Sequence, residues 1–368
     1  MSTAQRTAIR SRRRRAAAVT IHDVAARAGV SVATVSRVLN GKELVREETT
    51  QHVLAAAKSL RYVPNVAART LSNRRSQTIG IVLPDVHGEF FSEVIRGIDV
   101  AARREGYHIL VSGSHSDAGE MMEVVEAMRG RVDGLAVMAP DVALTSLGDA
   151  LAPDLPVVLL NSADDHHDAI TIDNYGGARS MMKHLASLGH KRIAFIKGPA
   201  QNADARERLR GYRQSMRPLG AAVEFDGDFT ERAGYAAGMA IAETSPRPTA
   251  IFAANDSMAV GALSATTERG IAVPGEITVV GFDDIPIAHY VNPPLTTISV
   301  DIAELGRRSF ALLRESIDDA ARPSHHPRRQ ECISTTLVVR KSCGVHQPTS
   351  KTSAQPQRKR GRGKGEKS

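Results

Sequence analysis

The stretch TIHDVAARAGVSVATVSRVLN, residues 20–40, decides the fold of the N-terminal part of the chain. It predicts two short helices separated by a turn at Gly29, because glycine accepts the left-handed conformation in which many helices end. Thr20 and Asp23 have the three-residue spacing of a helix-capping pair, and Ser31 stands where it can cap the second helix. The stretch therefore predicts a helix, a tight turn and a second helix.

Two helices of this length bury little apolar surface, so a third is needed. Residues 47–60, EETTQHVLAAAKSL, supply one, with apolar side chains at three- and four-residue steps at Val53, Leu54, Ala57 and Leu60. The second helix keeps a polar face made of Ser31, Thr34, Ser36, Arg37 and Asn40. On spacing alone, a helix-turn-helix reader of the DNA major groove and an ordinary three-helix bundle are both open.

Two longer motifs favour the first alternative. DVAARAGVS-x-ATVSRVLNG, followed by YVPNVAARTLSNRRSQTIG, is similar to the N-terminal signature of the LacI/GalR family of bacterial repressors. The resemblance implies that Val32 and Ala33 face base edges and that Arg37 reads a guanine through its two-pronged guanidinium. The other residues assigned to DNA contact, several of them to phosphates, are Thr20, Ser31, Thr34, Ser36, Asn40, Asn65, Ala68 and Leu71.

The segment after the three helices, residues 64–77, resembles the hinge helix of that family. The resemblance implies that it orders on the operator, where paired hinges push leucines into the minor groove, and the matching leucine is Leu71. Ordering costs about 1 to 2 kcal/mol of backbone entropy per residue, so the hinge alone should be mostly unfolded. The alternative is that Leu71 belongs to the core of an ordinary linker helix.

Charge is distributed unevenly along the chain. Residues 1–75 hold 15 Lys and Arg against four Asp and Glu, and residues 344–368 hold seven against one. The total of +8 therefore leaves −9 on residues 76–343. This balance favours a protein whose N-terminal part meets phosphates while its body stays away from them. For the Arg-rich run at residues 12–15, DNA contact and a solvated tail are both open.

The sequence lacks the motifs that mark several other classes of protein. The 368 residues include no apolar run near the 18 or so needed to cross a membrane, and no signal peptide. Cys332 and Cys343 are too few for a disulfide framework or a metal cluster. We find no P-loop, no G-x-S-x-G, no H-E-x-x-H and no Rossmann glycine motif. We expect a cytoplasmic protein that is not an enzyme and uses no metal or cofactor.

From Thr78 onward the pattern changes. Short apolar runs such as TIGIVLPDV, GLAVMAP, PVVLLNS, TAIFAAND and ITVVGFDD alternate with helical stretches. This alternation predicts an α/β core of two halves, each with a mainly parallel sheet flanked by helices. The two halves resemble the lobes of periplasmic sugar-binding proteins, and the family resemblance implies three crossings between lobes, near Tyr175, Ser299 and Thr336.

The predicted organisation has five parts. In chain order they are a basic disordered arm at 1–18, a helix-turn-helix domain at 19–63, a hinge helix and linker at 64–77, an effector-binding and dimerisation core at 78–343, and a basic disordered tail at 344–368. Within the core, we predict an N-lobe of about 78–174 and 300–335 and a C-lobe of about 175–299 and 336–343.

Ligands of open α/β sheets bind beyond the carboxyl ends of the strands. The polar and aromatic residues predicted there are Asp85, Phe90, Phe91, Asn161, Asp173, Arg206, Arg208, Asn255 and Asp283. The resemblance favours Arg208 and Asp283, because a guanidinium and a carboxylate can each bind two sugar hydroxyls. For Asp85, Asp173, Asp256 and Asp284, helix capping is an equal alternative.

These features predict a repressor that binds a pseudo-palindromic operator as a homodimer and responds to a sugar-like effector between its lobes. The C-terminal tail lacks leucine heptads, which favours a dimer over a tetramer.

One alternative is a sugar-binding module without DNA regulation. Another is an enzyme on the same scaffold, with His166, His167 and Asp168 as a metal site or proton relay. Three adjacent loop residues do not share one face, however, so this second alternative is weaker.

Overall fold

The computed structural model describes residues 19–39, 45–62, 75–141, 151, 155–320 and 327–344. The chain divides into two compact units, Met1–Thr78 and Ile79–Ser368. Several predictions lie outside the described residues: the basic arm and tail, most of the hinge, and the DNA contacts of Asn40, Asn65, Ala68 and Leu71. The five-part domain division stays a prediction.

The first unit contains the three predicted helices, α1 (Ile21–Ala28), α2 (Val32–Leu39) and α3 (Glu47–Ser59). They bury a small common core made of Val24, Ala25, Val35, Val53, Ala56 and Ala57. The prediction that Leu54 belongs to this core was wrong, because its side chain is 44% exposed. In α3 the inward face instead runs through Val53, Ala56 and Ala57, so an alanine occupies the position expected for leucine.

The second unit alternates strands and helices. In its first half these are β1 (Thr78–Leu83), α4 (Glu89–Arg104), β2 (His108–Gly113), α5 (Ala118–Met128), β3 (Gly134–Met138), β4 (Val157–Leu160) and β5 (Asp168–Ile172). In its second half they are α6 (Asn174–Ser187), β6 (Ile193–Ile196), α7 (Ala203–Met216), β7 (Val223–Phe225), α8 (Glu231–Glu243), β8 (Ala250–Ala253), α9 (Asp256–Glu268) and β9 (Thr278–Val280). The last elements are a 3-10 helix (Pro286–His289), β10 (Thr297–Ser299), α10 (Ile302–Asp319), β11 (Gln330–Ile333) and β12 (Thr336–Val338).

These elements build two lobes, each around one sheet. The first lobe has a six-stranded sheet of order β11-β5-β4-β3-β1-β2, in which β1–β3, β3–β4, β4–β5 and β5–β11 pair in parallel. The second lobe has a four-stranded parallel sheet of order β7-β6-β8-β9. β10 and β12 form a separate antiparallel pair. The predicted α/β class is confirmed, and the continuous apolar runs are strands buried on both faces, as in β3 and β4.

The chain passes between the lobes three times. It leaves the first sheet after β5, enters the second lobe at α6, and returns through β10 to α10, which packs on α4 and on the first sheet. β11 then rejoins the first sheet beside β5, and β12 leads back. The carboxyl ends of β4, β5, β8 and β9 therefore open toward the junction between lobes. Within the described residues, no helix is long and apolar enough to span a membrane.

Candidate DNA-binding surface and effector cleft

Local capping fixes the geometry of the helix-turn-helix unit. The backbone N–H and the hydroxyl of Thr20 both donate to the Asp23 carboxylate at 2.8 Å, which lowers the pKa of Asp23. Gly29 has φ 65°, and the amide of Val30 closes the turn on the carbonyl of Ala25 at 3.1 Å. Thr20 and Asp23 thus cap the start of α1, and Gly29 ends it, as their spacing predicted.

Ser31 then starts α2, since its Oγ accepts the amide of Thr34 at 3.1 Å. The exposed side of α2 carries Ala33 and Arg37, with Ser31 at its beginning. Val32, which was also predicted to face base edges, is half-buried and packs against the three-helix core. The outward surface therefore presents one small apolar group and one guanidinium, a size and chemistry suited to base edges in a major groove.

In the second unit, Arg208 of α7 is the most connected of the predicted effector residues. Its Nε donates to Oδ1 of Asn174 at 2.7 Å, and its Nη1 donates to the carbonyl of Ala254 at 2.6 Å. Its Nη2 lies 2.9 Å from the carboxylate of Asp283. The guanidinium also lies over the ring of Phe282, 3.9 Å from the centroid. Both Arg208 and Asp283 are buried, so this ion pair is largely shielded from water.

Asp204, one turn earlier on α7, connects the two lobes. One carboxylate oxygen accepts the Asn161 amide of the first lobe at 2.8 Å, and the other accepts the Asn174 amide at 2.7 Å. Burial raises the pKa of Asp204 to about 6, helped by repulsion from Asp283 and opposed by Arg208 and the two amides. Asp204 was not among the predicted site residues, because an acidic residue in the first turn of a helix is an ordinary sequence feature.

Two further carboxyl groups complete the buried cluster. Burial raises the pKa of Asp283, while its neighbour Arg208 opposes the shift. Burial and then repulsion from Asp283 raise the pKa of Asp256 well above its usual value. Asp256 holds the loop after β9 in place, since its carboxylate accepts the Thr297 hydroxyl at 2.6 Å and the Ile285 amide at 3.0 Å. Asp256 thus has a structural role, but not the helix-capping role that was left open for it, because Asn255 caps α9.

The backbone around this cluster is strained. Asn161, Phe229, Asp283 and Asp284 have φ values of 55°, 72°, 107° and 61°. Residues other than glycine adopt such angles rarely, and clusters of them mark sites where the surrounding structure holds a side chain in a required place. The Oδ1 atom of Asn161 is buried and has no hydrogen-bond partner among the described residues. A buried, unpaired amide oxygen of this kind is suited to a ligand donor.

Other predicted effector residues lie outside the cluster. Asp173 is exposed and caps α6 by accepting the Gly176 amide at 2.8 Å, while its neighbour Asn174 points to Arg208 instead. Arg206 is exposed, and its guanidinium donates to the carbonyls of Ala200 and Gln201. For Asp173, helix capping is therefore the role that the structure shows.

The remaining candidates make local contacts of their own. Asp85 is exposed and accepts the His87 amide at 2.9 Å. Phe90 and Phe91 are half-buried and pack edge to face, with 5.7 Å between ring centroids. Asn255 caps α9, and its Nδ2 donates to the carbonyl of Phe229 at 3.0 Å. Phe229, which the sequence reasoning missed, is a half-buried aromatic ring 6.0 Å from the Arg208 guanidinium.

A cavity of about 490 Å³ reaches Asp283 from the junction of the lobes. It lies between α4, the 3-10 helix and the segment that joins β10 to α10. Its charged lining consists of Glu93, Arg96, Asp283, Asp284, His289 and Asp301. This volume lies within the usual range for small-molecule sites, which is about 300 to 1,000 Å³.

The three residues weighed for an enzyme do not form one site. His167 Nδ1 lies 2.8 Å from the Asp164 carboxylate, whereas Asp168 pairs with Arg329 at 2.7 Å. His166 contributes only a backbone amide to Asp164. In the part of the chain that the structure describes, no group of three His, Cys, Asp or Glu side chains is placed to hold a metal ion.

Two regions of the chain match models of protein families. Residues 20–65 match the model described as bacterial regulatory proteins, lacI family, and residues 182–343 match a periplasmic binding protein-like domain. The chain is 36% identical over 333 residues to the HTH-type transcriptional repressor PurR of Photobacterium profundum, covering 88% of this chain and 98% of that protein. It is 34% identical over 332 residues to the HTH-type transcriptional repressor CytR of Escherichia coli, covering 88% and 96%.

A solved structure agrees with these sequence matches. The lac repressor dimer bound to operator and the anti-inducer ONPF superimposes with a TM-score of 0.79 at 31% identity, covering 89% of this chain and 99% of that chain. Fold, helix-turn-helix unit and relatives together define a DNA-binding transcriptional regulator of the repressor type. The chain belongs to the LacI family of bacterial regulatory proteins. The predictions of this family and of a non-enzymatic function are confirmed.

Proposed function

We propose that this regulator reads a pseudo-palindromic operator with the exposed face of α2 and responds to a sugar-like molecule held between its lobes. The observation that supports the DNA-reading role most directly is the placement of Arg37, which is exposed on α2 together with Ala33. Ser31 caps the start of this helix. A guanidinium at that place can bind O6 and N7 of guanine together. Ala33 offers contact to a thymine methyl group. We place the protein in the cytoplasm, where its operator is.

The effector role is supported by the cluster at the strand ends. Arg208, Asp283 and Asn161 are the predicted residues that meet there, and Asp204 and Asn174 join them. The half-buried rings of Phe90, Phe91 and Phe229 offer apolar surface for a sugar or base. Polar groups at the centre with aromatic rings around them are typical of sites for sugars and related small molecules.

Replacing Arg37 with alanine tests the DNA-reading role. We expect Arg37→Ala to weaken binding to the cognate promoter by about 1 to 3 kcal/mol, while binding to random DNA changes little. Lys58→Ala is the control, since it also removes one exposed positive charge but from α3. Fluorescence anisotropy at one salt concentration would measure the affinity of the wild type and of both variants for each DNA. Equal losses on cognate and random DNA for Arg37→Ala would contradict base reading.

The hinge can be tested in the same assay. Leu71→Ala should weaken binding to the promoter and leave nonspecific binding nearly unchanged, because a leucine wedge acts only on the bent operator. Leu71 lies outside the described residues, and its role rests on the resemblance of residues 64–77 to the family's hinge. Equal losses on both DNAs would show that Leu71 is not the wedge.

A further inference from the structure

The hydrogen bond that Asn161 makes from the first lobe to Asp204 in the second leaves one buried atom unsatisfied. Asn161 is 5% exposed, and its Nδ2 donates to the Asp204 carboxylate at 2.8 Å. The Oδ1 atom of the same amide is buried and has no hydrogen-bond partner among the described residues. An ionised carboxylate has no hydrogen to donate, so ionised Asp204 cannot satisfy this oxygen. A buried acceptor without a donor weakens the contact that buries it.

A proton on Asp204 supplies the donor that is lacking. A protonated carboxyl group has one O–H, and its other oxygen still accepts. The Asn161 amide and the Asp204 carboxyl already share one hydrogen bond, so a second bond in the opposite direction joins the same two groups. Asn174 holds the carboxyl from within the second lobe at 2.7 Å. Neutral Asp204 can therefore make two hydrogen bonds to the first lobe where ionised Asp204 makes one.

The charges around Asp204 oppose each other. Burial is the largest influence and raises the pKa of Asp204 to about 6, while Arg208 on the same helix lowers it and Asp283 raises it. Arg208 and Asp283 also pair with each other, with 2.9 Å between Nη2 and the carboxylate. Asn161 and Asn174, which contact Asp204 directly, are uncharged. The protonation of Asp204 is accordingly controlled most strongly by its exposure to water.

That exposure depends on the two lobes being in contact. Asp204 lies in the first turn of α7, and the residue that meets it follows β4 in the other lobe. Separation of the lobes brings water to the carboxyl group. Because burial outweighs the Asn161 bond among the influences on Asp204, its pKa then falls toward the ordinary value of 3.8. The form with joined lobes thus binds the proton more tightly than the form with separated lobes.

We propose that the Asp204–Asn161 bridge is a proton-operated latch, which holds the two lobes together when Asp204 is protonated and releases them when it ionises. The sign follows from linkage, because a proton that binds the joined form more tightly stabilises that form. This stabilisation is fully present below about pH 3.8 and is lost as pH rises through about 6. Any ligand that binds only the joined lobes would consequently bind more tightly at acid pH.

Hydrogen exchange of the full chain, without DNA or effector, tests the latch. The amide of Ala203 donates to the carbonyl of Pro140 at 2.9 Å, and the amide of Ile287 donates to the Glu89 carboxylate at 2.8 Å, so both amides report separation of the lobes. After correction for the intrinsic exchange rate at each pH, their protection should fall by at least about threefold from pH 5 to pH 7.5. Equal protection at the two pH values would overturn the proposal.

An amide within one lobe shows whether the change is confined to the junction. The amide of Thr249 donates to the carbonyl of Arg192 at 2.9 Å inside the second lobe. Its protection should stay the same from pH 5 to pH 7.5. A loss at Thr249 equal to the loss at Ala203 would mean that the second lobe itself loosens, and would overturn the latch.

Two variants test the assigned groups. Asp204→Asn carries a donor and an acceptor at every pH, as the protonated acid does, so the Ala203 amide should keep its pH 5 protection at pH 7.5. Asn161→Gly removes the amide and accepts the φ of 55° at that position, so protection at pH 5 should drop to the pH 7.5 level of the wild type. Thr249 protection shows in each variant that the second lobe is folded.

Glu123→Gln is the matched control, because it also turns a carboxylate into an amide but at an exposed position of α5. It should keep the threefold fall of the wild type. A pH-dependent fall that persists in Asp204→Asn would overturn the assignment of Asp204. Since neither DNA nor effector is present, failure of the latch leaves the proposed reading of DNA and the proposed effector role untouched, and their failure leaves the latch untouched.

Discussion

The carboxylate of Asp204 accepts a hydrogen bond of 2.8 Å from the amide of Asn161, the residue that directly follows β4 in the other lobe. Two further hydrogen bonds between the lobes accompany it. The amide of Ala203 donates to the carbonyl of Pro140 at 2.9 Å, and the amide of Ile287 donates to the carboxylate of Glu89 at 2.8 Å. The lobes are therefore bridged at separate places, and Asp204 is the titratable side chain at the centre of one bridge.

The raised pKa of Asp204 gives a pH-dependent contribution to stability. In the folded protein the Asp204 carboxyl has a pKa of about 6, whereas in an unfolded chain its pKa is 3.8. Between these values the native state binds more protons, so the contribution of this group to the free energy of unfolding falls as pH rises. The full change would be about 3 kcal/mol, and partial exposure of Asp204 reduces it to roughly 2 kcal/mol.

Comparison with Asp204→Asn isolates this effect, because the variant cannot titrate there. Urea unfolding of both proteins from pH 4 to 7 should show the wild type losing stability relative to the variant up to about pH 6, and a constant difference above it. A difference that stays constant from pH 4 to 6 would mean that Asp204 titrates as an ordinary surface carboxylate.

A second prediction concerns the buried ion pair. Arg208→Met should lower the free energy of unfolding by about 3 to 5 kcal/mol, because Asp283 would remain buried without its cation. The double variant Arg208→Met with Asp283→Leu should lose less than Arg208→Met alone, since it removes the stranded charge as well. Urea unfolding at pH 7 gives all the values. Purely additive losses would show that the two groups do not depend on each other.

Much of the fold followed from periodicity. Continuous apolar runs marked the strands that are buried on both faces, and three- and four-residue steps marked most helices, because burial dominates those positions. β7, β11 and β12 were not predicted, since they are three or four residues long and only partly buried. α6 was also missed, although Met181, Met182 and Leu185 form its buried side. Two glycines in its first turn weakened that signal.

The site was predictable in part. Arg208, Asp283 and Asn161 were found because polar residues at strand ends of an α/β sheet converge. Asn174 was missed in favour of Asp173, since sequence cannot decide which of two adjacent polar residues caps the helix and which turns inward. Asp204 looked like an ordinary first-turn acid. Its role depends on a contact with Asn161, 43 residues away, which only the packing of lobe on lobe creates.

A third prediction tests the start of α2. Ser31→Ala removes the oxygen that accepts the Thr34 amide at 3.1 Å, and should destabilise α2 by about 1 kcal/mol. Ser31→Gly should destabilise α2 by only about a few tenths of a kcal/mol, because glycine is tolerated at the position before a helix. Hydrogen exchange of the α2 amides in the full chain would measure the stability of α2 in both variants. Equal protection in Ser31→Ala and wild type would show that the Ser31 hydroxyl does not cap the helix in solution.

The last prediction concerns the contact between α4 and α10, which holds the C-terminal helix against the first lobe. A Cβ atom at Gly97 would overlap the carbonyl oxygen of Ala303, and Gly306 approaches the same place from α10. Both neighbours are backbone atoms, so the helices would have to move apart. Gly97→Ala should therefore lower the free energy of unfolding by about 1 to 3 kcal/mol, even though alanine favours a helix more than glycine does.

Val100→Ala is the matched control for Gly97→Ala, because it changes the same helix at a residue that is 38% exposed. It should alter the free energy of unfolding by no more than about 0.5 kcal/mol. Urea unfolding under identical conditions compares both variants with the wild type. If Gly97→Ala were as stable as the wild type or more so, the intrinsic helix preference of alanine would outweigh the contact. The two helices would then be too far apart in solution for the glycines to matter.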